Sequence, residues 1–318
     1  MEAVLTGLRA AAEPTRLRLL ALLAQGELTV SELTHILGQS QPRVSRHLKL
    51  MCEAGLLDRY PEGAWVFYRL AAKGGGAALA RALLDLLPAG DPTIALDQER
   101  LAMVRVARAA KAQDYFTANA ERWDEIRGLN VDDAEVERAL VAVFAGRGVR
   151  DLVDMGTGTG RVLEVLGPHV ERGVGVDLSR EMLAVARANL ERAGLDHCMV
   201  RQGDITQLPL AAASADAVTI HQVLHYATDP AAVVAEAARV LQPGGTLVIV
   251  DFAPHQLEVL RDEHAHHRLG FADDEVAGWL RVAGLEPGPV TRLPGQHLTV
   301  VLWTATRAAQ PNLKGAAA

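Results

Sequence analysis

"VDMGTGTGR", Val153 to Arg161, decides how the larger part of this chain folds. An apolar run ends in three glycines at alternate positions, Gly156, Gly158 and Gly160. A backbone without Cβ atoms can turn sharply after a strand and let a ligand lie against its amides. A strand over 149–155 followed by such a loop predicts the first βα unit of a parallel sheet, with a site at its C-terminal edge. Two other glycine loops are disfavoured: G-x-G-x-x-G would need glycine at 161 or 163, where Arg161 and Leu163 stand, and no G-K-[ST] follows.

On the C-terminal side the same pattern repeats. "GVGVDLS" is a second apolar strand ending in Asp177, and "CMVRQGDITQLPL" a third ending near Asp204. "ADAVTIHQVLHY" is a fourth, and "LQPGGTLVIVDF" turns through Pro243, Gly244 and Gly245 into a fifth. Strand-like runs alternating with helical ones predict a parallel α/β layer structure. Asp177 is placed to accept from both ribose hydroxyls of a bound nucleoside, and Asp204 from the amino group of its base. Each acid alone reads equally as a helix cap or a solvated loop residue. "EPGPVTRLPGQHLTVVLWTATR" predicts a terminal hairpin, and "AAQPNLKGAAA" a disordered tail.

On the N-terminal side the chain changes character. In "LTVSELTHIL", Val30, Leu33, Ile36 and Leu37 share a helical face, Thr29 or Ser31 can cap it, and Gly38 ends it. In "QSQPRVSRHLKLM", Ser40 can cap a second helix and Pro42 fits its first turn. Val44, Leu48 and Met51 form its inward stripe, leaving Arg46 and Lys49 outward, flanked by Gln41, Arg43 and Ser45. Two short helices joined by a glycine turn, the second basic outside, predict a helix-turn-helix whose second helix enters a major groove. The candidate DNA contacts are Ser40, Gln41, Arg43, Ser45, Arg46, His47 and Lys49, with Gln and Arg suited to bases and Ser and Lys to phosphates. "LLDRYPEGAWVFYRLA" reads as two strands around a turn, a wing. The alternative is a helical bundle with a hairpin that makes protein contacts only.

The formal net charge of −7 would oppose nucleic acid if evenly spread. It is not: up to Lys73 nine basic residues face seven acidic ones, so the acidity belongs to the rest of the chain. At 318 residues the chain has room for two cores. Breaks at "AAKGGGAALA" and "LPAGDPTIALDQ" place the first domain at 1–90. A helical linker over 91–146, a second domain over 147–306 and a tail over 307–318 complete the division. The stretch 98–128 lacks Pro and has Gly only at its end, predicting a long helix or a helix pair. Its Tyr115, Phe116 and Trp123 sit near helical spacing, as a lid over a ligand or as core packing.

Two family resemblances follow from these stretches. "EPTRLRLLALL", "LTVSELTHILGQSQPRVSRHLKLMCEAGLL" and "GAWVFYRL" resemble the ArsR/SmtB winged-helix repressors. The resemblance implies a homodimer on double-stranded operator DNA. Many such repressors sense metal through a Cys pair in the helix before the recognition helix; Thr29 and Ser31 stand there, neither a soft-metal ligand, so no metal site is expected. The four ordered motifs from Arg150 to Thr306 resemble the class I S-adenosylmethionine-dependent methyltransferases. That implies S-adenosylmethionine or S-adenosylhomocysteine as cofactor, with Asp154, Gly156, Thr157, Gly158 and Gly160 beneath its methionine part. Asp177 and Leu178 would hold the ribose, Asp204 and Ile205 the adenine, and His221, Tyr115 and Phe116 would complete the surround. The fold class is thus α/β plus mainly-α, a winged helix-turn-helix before a Rossmann-like domain with a mostly parallel sheet.

The methyl acceptor is less legible. "HQVLHY" lacks the Asn/Asp-Pro-Pro-aromatic stretch of base N-methylation in this superfamily, and Cys198 is the domain's only cysteine, against the several used in arsenite methylation. His221 and His225 are candidate general bases, because imidazole titrates near neutrality, or structural histidines beside the cofactor. "HQLEVLRDEHAHHRLGF" supplies His255, His264, His266 and His267, as a surface helix, a pocket lining or, through His264 and His267 at i, i+3, a metal pair. Cys52 and Cys198, without metal-like spacing, are expected as buried free thiols. With no apolar run near ~20 residues and no signal-peptide core, a cytoplasmic protein is expected. The two halves together imply a regulator responsive to the cofactor or its demethylated product, with methionine and methyl-cycle genes as targets, or an active small-molecule methyltransferase controlling its own expression.

Overall fold

The computed structural model describes residues 1–62, 65–71, 74–88, 90–107, 133–262 and 266–309. The chain divides into two compact units, Met1–Lys111 and Ala112–Ala318. Among the described residues no helix is long and apolar enough to cross a membrane.

The first unit is built from α1 (Glu2–Ala11), α2 (Pro14–Leu23), β1 (Leu28–Thr29), α3 (Val30–Leu37), α4 (Gln41–Glu53), β2 (Leu57–Glu62), β3 (Trp65–Leu70), α5 (Gly74–Asp85) and a helix over 92–107, α6. Thr29 is the cap of α3: its Oγ1 accepts from the Glu32 amide while Glu32 Oε2 accepts from the Thr29 amide at 2.7 Å. That reciprocal pair satisfies two amides a helix start leaves open. Gly38 closes α3 with φ +64°, a conformation that favours glycine. Ser40 precedes α4 as expected, but its side chain makes no capping bond. Leu33, Ile36, Val44, Leu48 and Met51 are fully buried, joining α3 and α4 to α2 in one core. The antiparallel pair β2–β3 forms the wing, and β1 adds to β3.

α6 belongs to this unit, not to a linker. Asp97 is 1% exposed and receives Arg18 Nε and Nη2 at 2.6 and 2.7 Å, and Arg100 Nη1 donates to Ile36 O at the end of α3 at 2.8 Å. Leu101 is buried with the core. The expected 91–146 linker is therefore divided, because its first helix is held by a buried ion pair and α7 (Asp133–Phe144) packs Val136, Leu140 and Phe144 into the second unit's core.

The second unit continues with β4 (Asp151–Met155), α8 (Arg161–Leu166), β5 (Arg172–Asp177), α9 (Arg180–Arg192), β6 (Cys198–Gln202), β7 (Ala215–His221), α10 (Pro230–Val240) and β8 (Leu241–Phe252). α11 (Val259–Asp262), α12 (Asp273–Val282), β9 (Leu285–Pro294) and β10 (Thr299–Arg307) complete it. The sheet order is β6-β5-β4-β7-β8-β10-β9. The first five strands run parallel, and β10 is antiparallel to both neighbours, the expected hairpin. Pairing of β7 with β8 jumps from Ala215–Leu241 to Ala217–Thr246, so Pro243, Gly244 and Gly245 leave the ladder where the turn was read. Strand residues alternate between two cores: Ala217, Val248 and Val250 pack toward α7, α8 and α9, Val218, Leu247 and Ile249 toward α10 and α12. Reversal of strand order between β4 and β7 opens the crevice where ligands of such sheets bind.

Candidate functional site

The outer face of α4 carries the first set of candidates. Ser40, Gln41, Arg43, Arg46 and Lys49 are exposed and Ser45 is partly so, while the opposite side of the helix is core. His47 differs from its reading as a DNA contact. Its Nδ1 lies 3.9 Å from Glu13 Oε2 and its side chain is 13% exposed. It sits on the flank of the buried stripe, where desolvation above all lowers its pKa and Glu13 partly offsets that. It braces α4 against the cap of α2 and leaves Arg43, Arg46 and Lys49 as the outward cations.

The second set gathers at the C-terminal edges of β4, β5 and β7. The loop after β4 folds back onto the neighbouring strand: the amides of Gly156 and Thr157 both donate to Val176 O, at 2.7 and 3.0 Å. Gly156, at φ +72°, also admits the next turn, since a Cβ there would stand 2.5 Å from Val223. Gly158 is open: a Cβ on it would meet nothing within 4 Å. Asp177 ends β5 and accepts from the amides of Gly158 and Ser179, each at 2.9 Å. A carboxylate offers about four acceptor positions, so this one keeps capacity for further donors.

Asp154 lies beneath the loop, 1% exposed. Its Oδ1 accepts from Thr219 Oγ1 at 2.7 Å, while its Oδ2 and the Thr157 hydroxyl are buried without a partner. Desolvation pushes the Asp154 carboxyl up to about 6, and nearby Asp177 adds to the rise, against the lowering effect of the neighbouring Thr157 and Thr219 hydroxyls. Leu178, 68% exposed, and half-buried Ile205 are apolar groups at the strand ends. Asp204 is exposed, and its Oδ1 accepts the Thr206 hydroxyl and amide at 2.7 and 2.8 Å, which hold its pKa down. Tyr115, Phe116 and Trp123, expected as a lid, lie outside the described residues, as does His264.

Next to this bed is a polar core that the sequence indicated only in part. β7 ends in His221, and the following residue, Gln222, holds φ +51°, a conformation unusual for a side-chain-bearing residue. The turn leads to His225, 2% exposed, whose Nδ1 lies 2.8 Å from Asp251 Oδ1 at the end of β8. Asp251 is fully buried and also receives the amides of His225 and Phe252, at 3.2 and 2.8 Å. With two amides already donating to this carboxylate, the tautomer that carries its proton on Nδ1 suits the third contact and leaves the lone pair on Nε2. His221 is desolvated, which lowers its pKa, while Asp251, Asp133 and Glu137 pull it up. His255 is likewise lowered by burial and by His225, and raised by Asp251. The His266 ring stacks on His225 at 3.9 Å. Asp251 went unread, although it ends a strand as Asp154, Asp177 and Asp204 do.

The described residues of the segment carrying His255, His266 and His267 form a strap in which only Val259–Asp262 is helical. It is closed at its neck, where the Phe271 amide donates to Phe252 O and a Cβ on Gly270 would stand 2.1 Å from Ala253 O. The amides of His267 and Arg268 both donate to His225 O. Among the described residues no group of three or more His, Cys, Asp or Glu side chains is arranged to hold a metal. Cys198 is a buried free thiol and Cys52 only partly buried.

Comparison with known proteins agrees with this division. Residues 13–59 match the family "Bacterial regulatory protein, arsR family", and residues 153–249 match "Methyltransferase domain". The arsenic resistance transcriptional regulator of Pseudomonas putida is 53% identical over 60 residues, 19% of this chain and 47% of that protein. An uncharacterized methyltransferase of Bacillus subtilis is 31% identical over 153 residues, 48% of this chain and 59% of that protein. The demethylmenaquinone methyltransferase of Deinococcus radiodurans is 36% identical over 150 residues, 45% of this chain and 60% of that protein. The chain thus spans less than two thirds of the length of each. In a solved complex of a methyltransferase with its activator from Haloferax volcanii, 97% of one chain superposes on 61% of this one with a TM-score of 0.50 and 24% identity, a likeness of fold.

Proposed function

Because the chain joins an arsR-type helix-turn-helix domain to a methyltransferase domain, we propose that it is a transcriptional regulator that reads a methylation cofactor. The ligand is S-adenosylmethionine or S-adenosylhomocysteine, and the genes it tunes in the cytoplasm are those of the methionine and methyl cycle. The observation that carries the ligand is the unpartnered polar pair beneath the glycine loop, Asp154 Oδ2 and the Thr157 hydroxyl, with open space over Gly158. A buried polar atom left without a partner is costly, and a ligand ammonium beside Asp154 relieves it. Asp177 takes the ribose hydroxyls, Asp204 the adenine amine, and exposed Leu178 lies against the apolar faces.

DNA is read by the outer face of α4, with Arg43, Arg46 and Lys49 toward the duplex. Val4, Leu5 and Leu8, 51, 44 and 40% exposed, give α1 an apolar surface suited to a second copy, which a two-fold operator requires. The test is operator affinity of the full chain, on DNA upstream of its own gene, with S-adenosylmethionine, with S-adenosylhomocysteine, and with neither, each in chelator. A tenfold change is a coupling of about 1.4 kcal/mol, and the DNA must then alter ligand affinity by the same factor. Equal affinity in all conditions leaves two independent domains and removes the regulatory reading.

A second reading, an active methyltransferase with a small-molecule acceptor, is favoured by one observation, the buried His225–Asp251 pair next to the cofactor bed.

A further inference from the structure

We propose that α6 is a handle on the recognition helix: Arg100, together with Asp97 acting through Arg18, fixes the end of α3 and through it the orientation of α4 toward DNA. The inference rests on the regulatory reading above and names the part of the chain that carries the regulation.

The last carbonyls of a helix have no partner within it. Two of those in α3, Ile36 O and Leu37 O, are met by arginines. Arg100 Nη1 of α6 donates to Ile36 O at 2.8 Å, and Arg18 Nη2 of α2 reaches Leu37 O at 3.5 Å. Cations there also face the negative end of the helix dipole. Arg18 is itself placed by α6: its Nε and Nη2 fork onto the buried Asp97 carboxylate at 2.6 and 2.7 Å, a bidentate pair that fixes the plane of the guanidinium. Both contacts on the end of α3 are therefore set by α6, one directly and one through Arg18.

What α6 fixes is passed on to α4, because the turn between α3 and α4 has little slack. It consists of Gly38, Gln39 and Ser40. Gly38 holds φ +64°, and a Cβ on it would stand 3.7 Å from Arg100 Nη1. Gln39 Nε2 donates to Thr15 Oγ1 at 3.1 Å, while Ser40 makes no capping bond to α4. The entry to α4 is thus positioned by bonds from outside it, and a shift at the end of α3 moves along this short, tied segment.

α6 is built to transmit such a shift. Asp91 Oδ1 caps its start by accepting the Thr93 and Ile94 amides at 2.8 and 3.1 Å. Gln98 Oε1 accepts from Gln25 Nε2 at 2.5 Å, Arg105 donates to Gln25 O, and Leu101 is buried in the core. One helix thereby grips the ends of α2 and α3 together. The arsR-family match ends at residue 59, so this grip is an addition to the matched segment. The chain crosses from the first unit to the second once, at Lys111–Ala112, and α6 is the last described helix before that crossing. A ligand bound in the second unit has α6 as its covalent route to the recognition helix. Asp97, Arg18 and Arg100 are positioning residues.

The experiment uses the full chain and a duplex from upstream of its own gene, with fluorescence anisotropy as the readout and S-adenosylhomocysteine as the ligand probe. Stoichiometric titration fixes the active fraction, so that a loss of folded protein does not count as a loss of affinity. Arg100→Met keeps the stem and removes the donor; operator affinity should fall about tenfold, the low end of what a hydrogen bond from a charged group contributes. The slope of log affinity against log salt should stay as in the wild type, because no phosphate contact is removed. Arg100→Lys, which retains a charge and a donor, should recover part of the loss, and Asp97→Asn should weaken binding in the same way. S-adenosylhomocysteine should change the operator affinity of the wild type and the hydrogen exchange of residues 97–105 together, and the affinity ratio with and without it should shrink toward one in Arg100→Met. Wild-type affinity in both Arg100→Met and Asp97→Asn, a salt slope reduced as for a lost phosphate contact, or an undiminished ratio in Arg100→Met overturns the proposal. A wild type that binds the operator equally with and without the cofactor, while Arg100→Met still binds weakly, overturns the regulatory reading beneath it instead.

Discussion

On the proposed function, Asp154 makes cofactor binding sensitive to pH in a calculable way. Its carboxyl, pushed up to about 6 from 3.8 mainly by burial, is disfavoured as an anion in the ligand-free protein. A raised carboxyl pKa contributes stability below pH 3.8 and loses it as pH rises through 6, so the ionised form costs the ligand-free fold on the order of 3 kcal/mol at neutrality. A cofactor ammonium beside Oδ2 reverses this by favouring the anion, so binding below pH 6 must expel a proton. With a free pKa of 6 and a bound pKa well below 5, affinity falls about tenfold, roughly 1.4 kcal/mol, between pH 7 and pH 5. Calorimetry with S-adenosylhomocysteine in buffers of different ionisation enthalpy should show both the weakening and nearly one proton released at pH 5. Asp154→Asn should bind more weakly at pH 7 and lose the dependence. Affinity that is flat or rises toward pH 5 would refute the placement of the ammonium.

Other expectations follow from the same contacts. Asp177→Ala removes the acceptor proposed for the ribose hydroxyls and frees the Gly158 and Ser179 amides; the cofactor should weaken by about 1–3 kcal/mol in the same calorimetry, and wild-type affinity would contradict the assignment. Arg46→Ala with Lys49→Ala should weaken DNA binding and reduce the slope of log affinity against log salt by about 2, read by fluorescence anisotropy. Asp97→Asn leaves Arg18, 17% exposed, without its buried partner; hydrogen exchange in α2 and α3 should speed up as for a loss of about 3 kcal/mol, and protection within tenfold of wild type would mean α6 is held by Leu101 instead.

What the sequence revealed was local. The strand–loop–strand pattern shows in residues a few positions apart, so the succession of five parallel strands along the chain and the final hairpin are legible, though not the strand order in the sheet. Helix α4 and its buried stripe are legible too, with His47 lying nearer that stripe than the outward reading had it. At ~100° per residue His47 falls about 60° from Val44, on the edge of the buried stripe, and the helical phase alone would have turned it inward. α6 was assigned to a linker because what fixes it, Asp97 to Arg18, spans 79 residues of sequence. No periodicity records such a pair.

The functional centre was half legible for the same reason. Three carboxylates at strand ends were read because a family pattern names them, and a fourth in the same kind of position, Asp251, was passed over. Its partner His225 was seen, but a histidine alone does not say which nitrogen is free. Pairing with a carboxylate favours the proton on Nδ1, and the pairing joins residues 26 positions apart, from the turn after β7 and the end of β8. The strap adds a second layer of the same kind: polar histidines that look like a solvated helix in sequence are folded back so that His266 lies at 4% exposure against His225. A polar run becomes part of a core when its neck is closed by backbone bonds and a glycine of positive φ, and Gly270 is the residue that permits it.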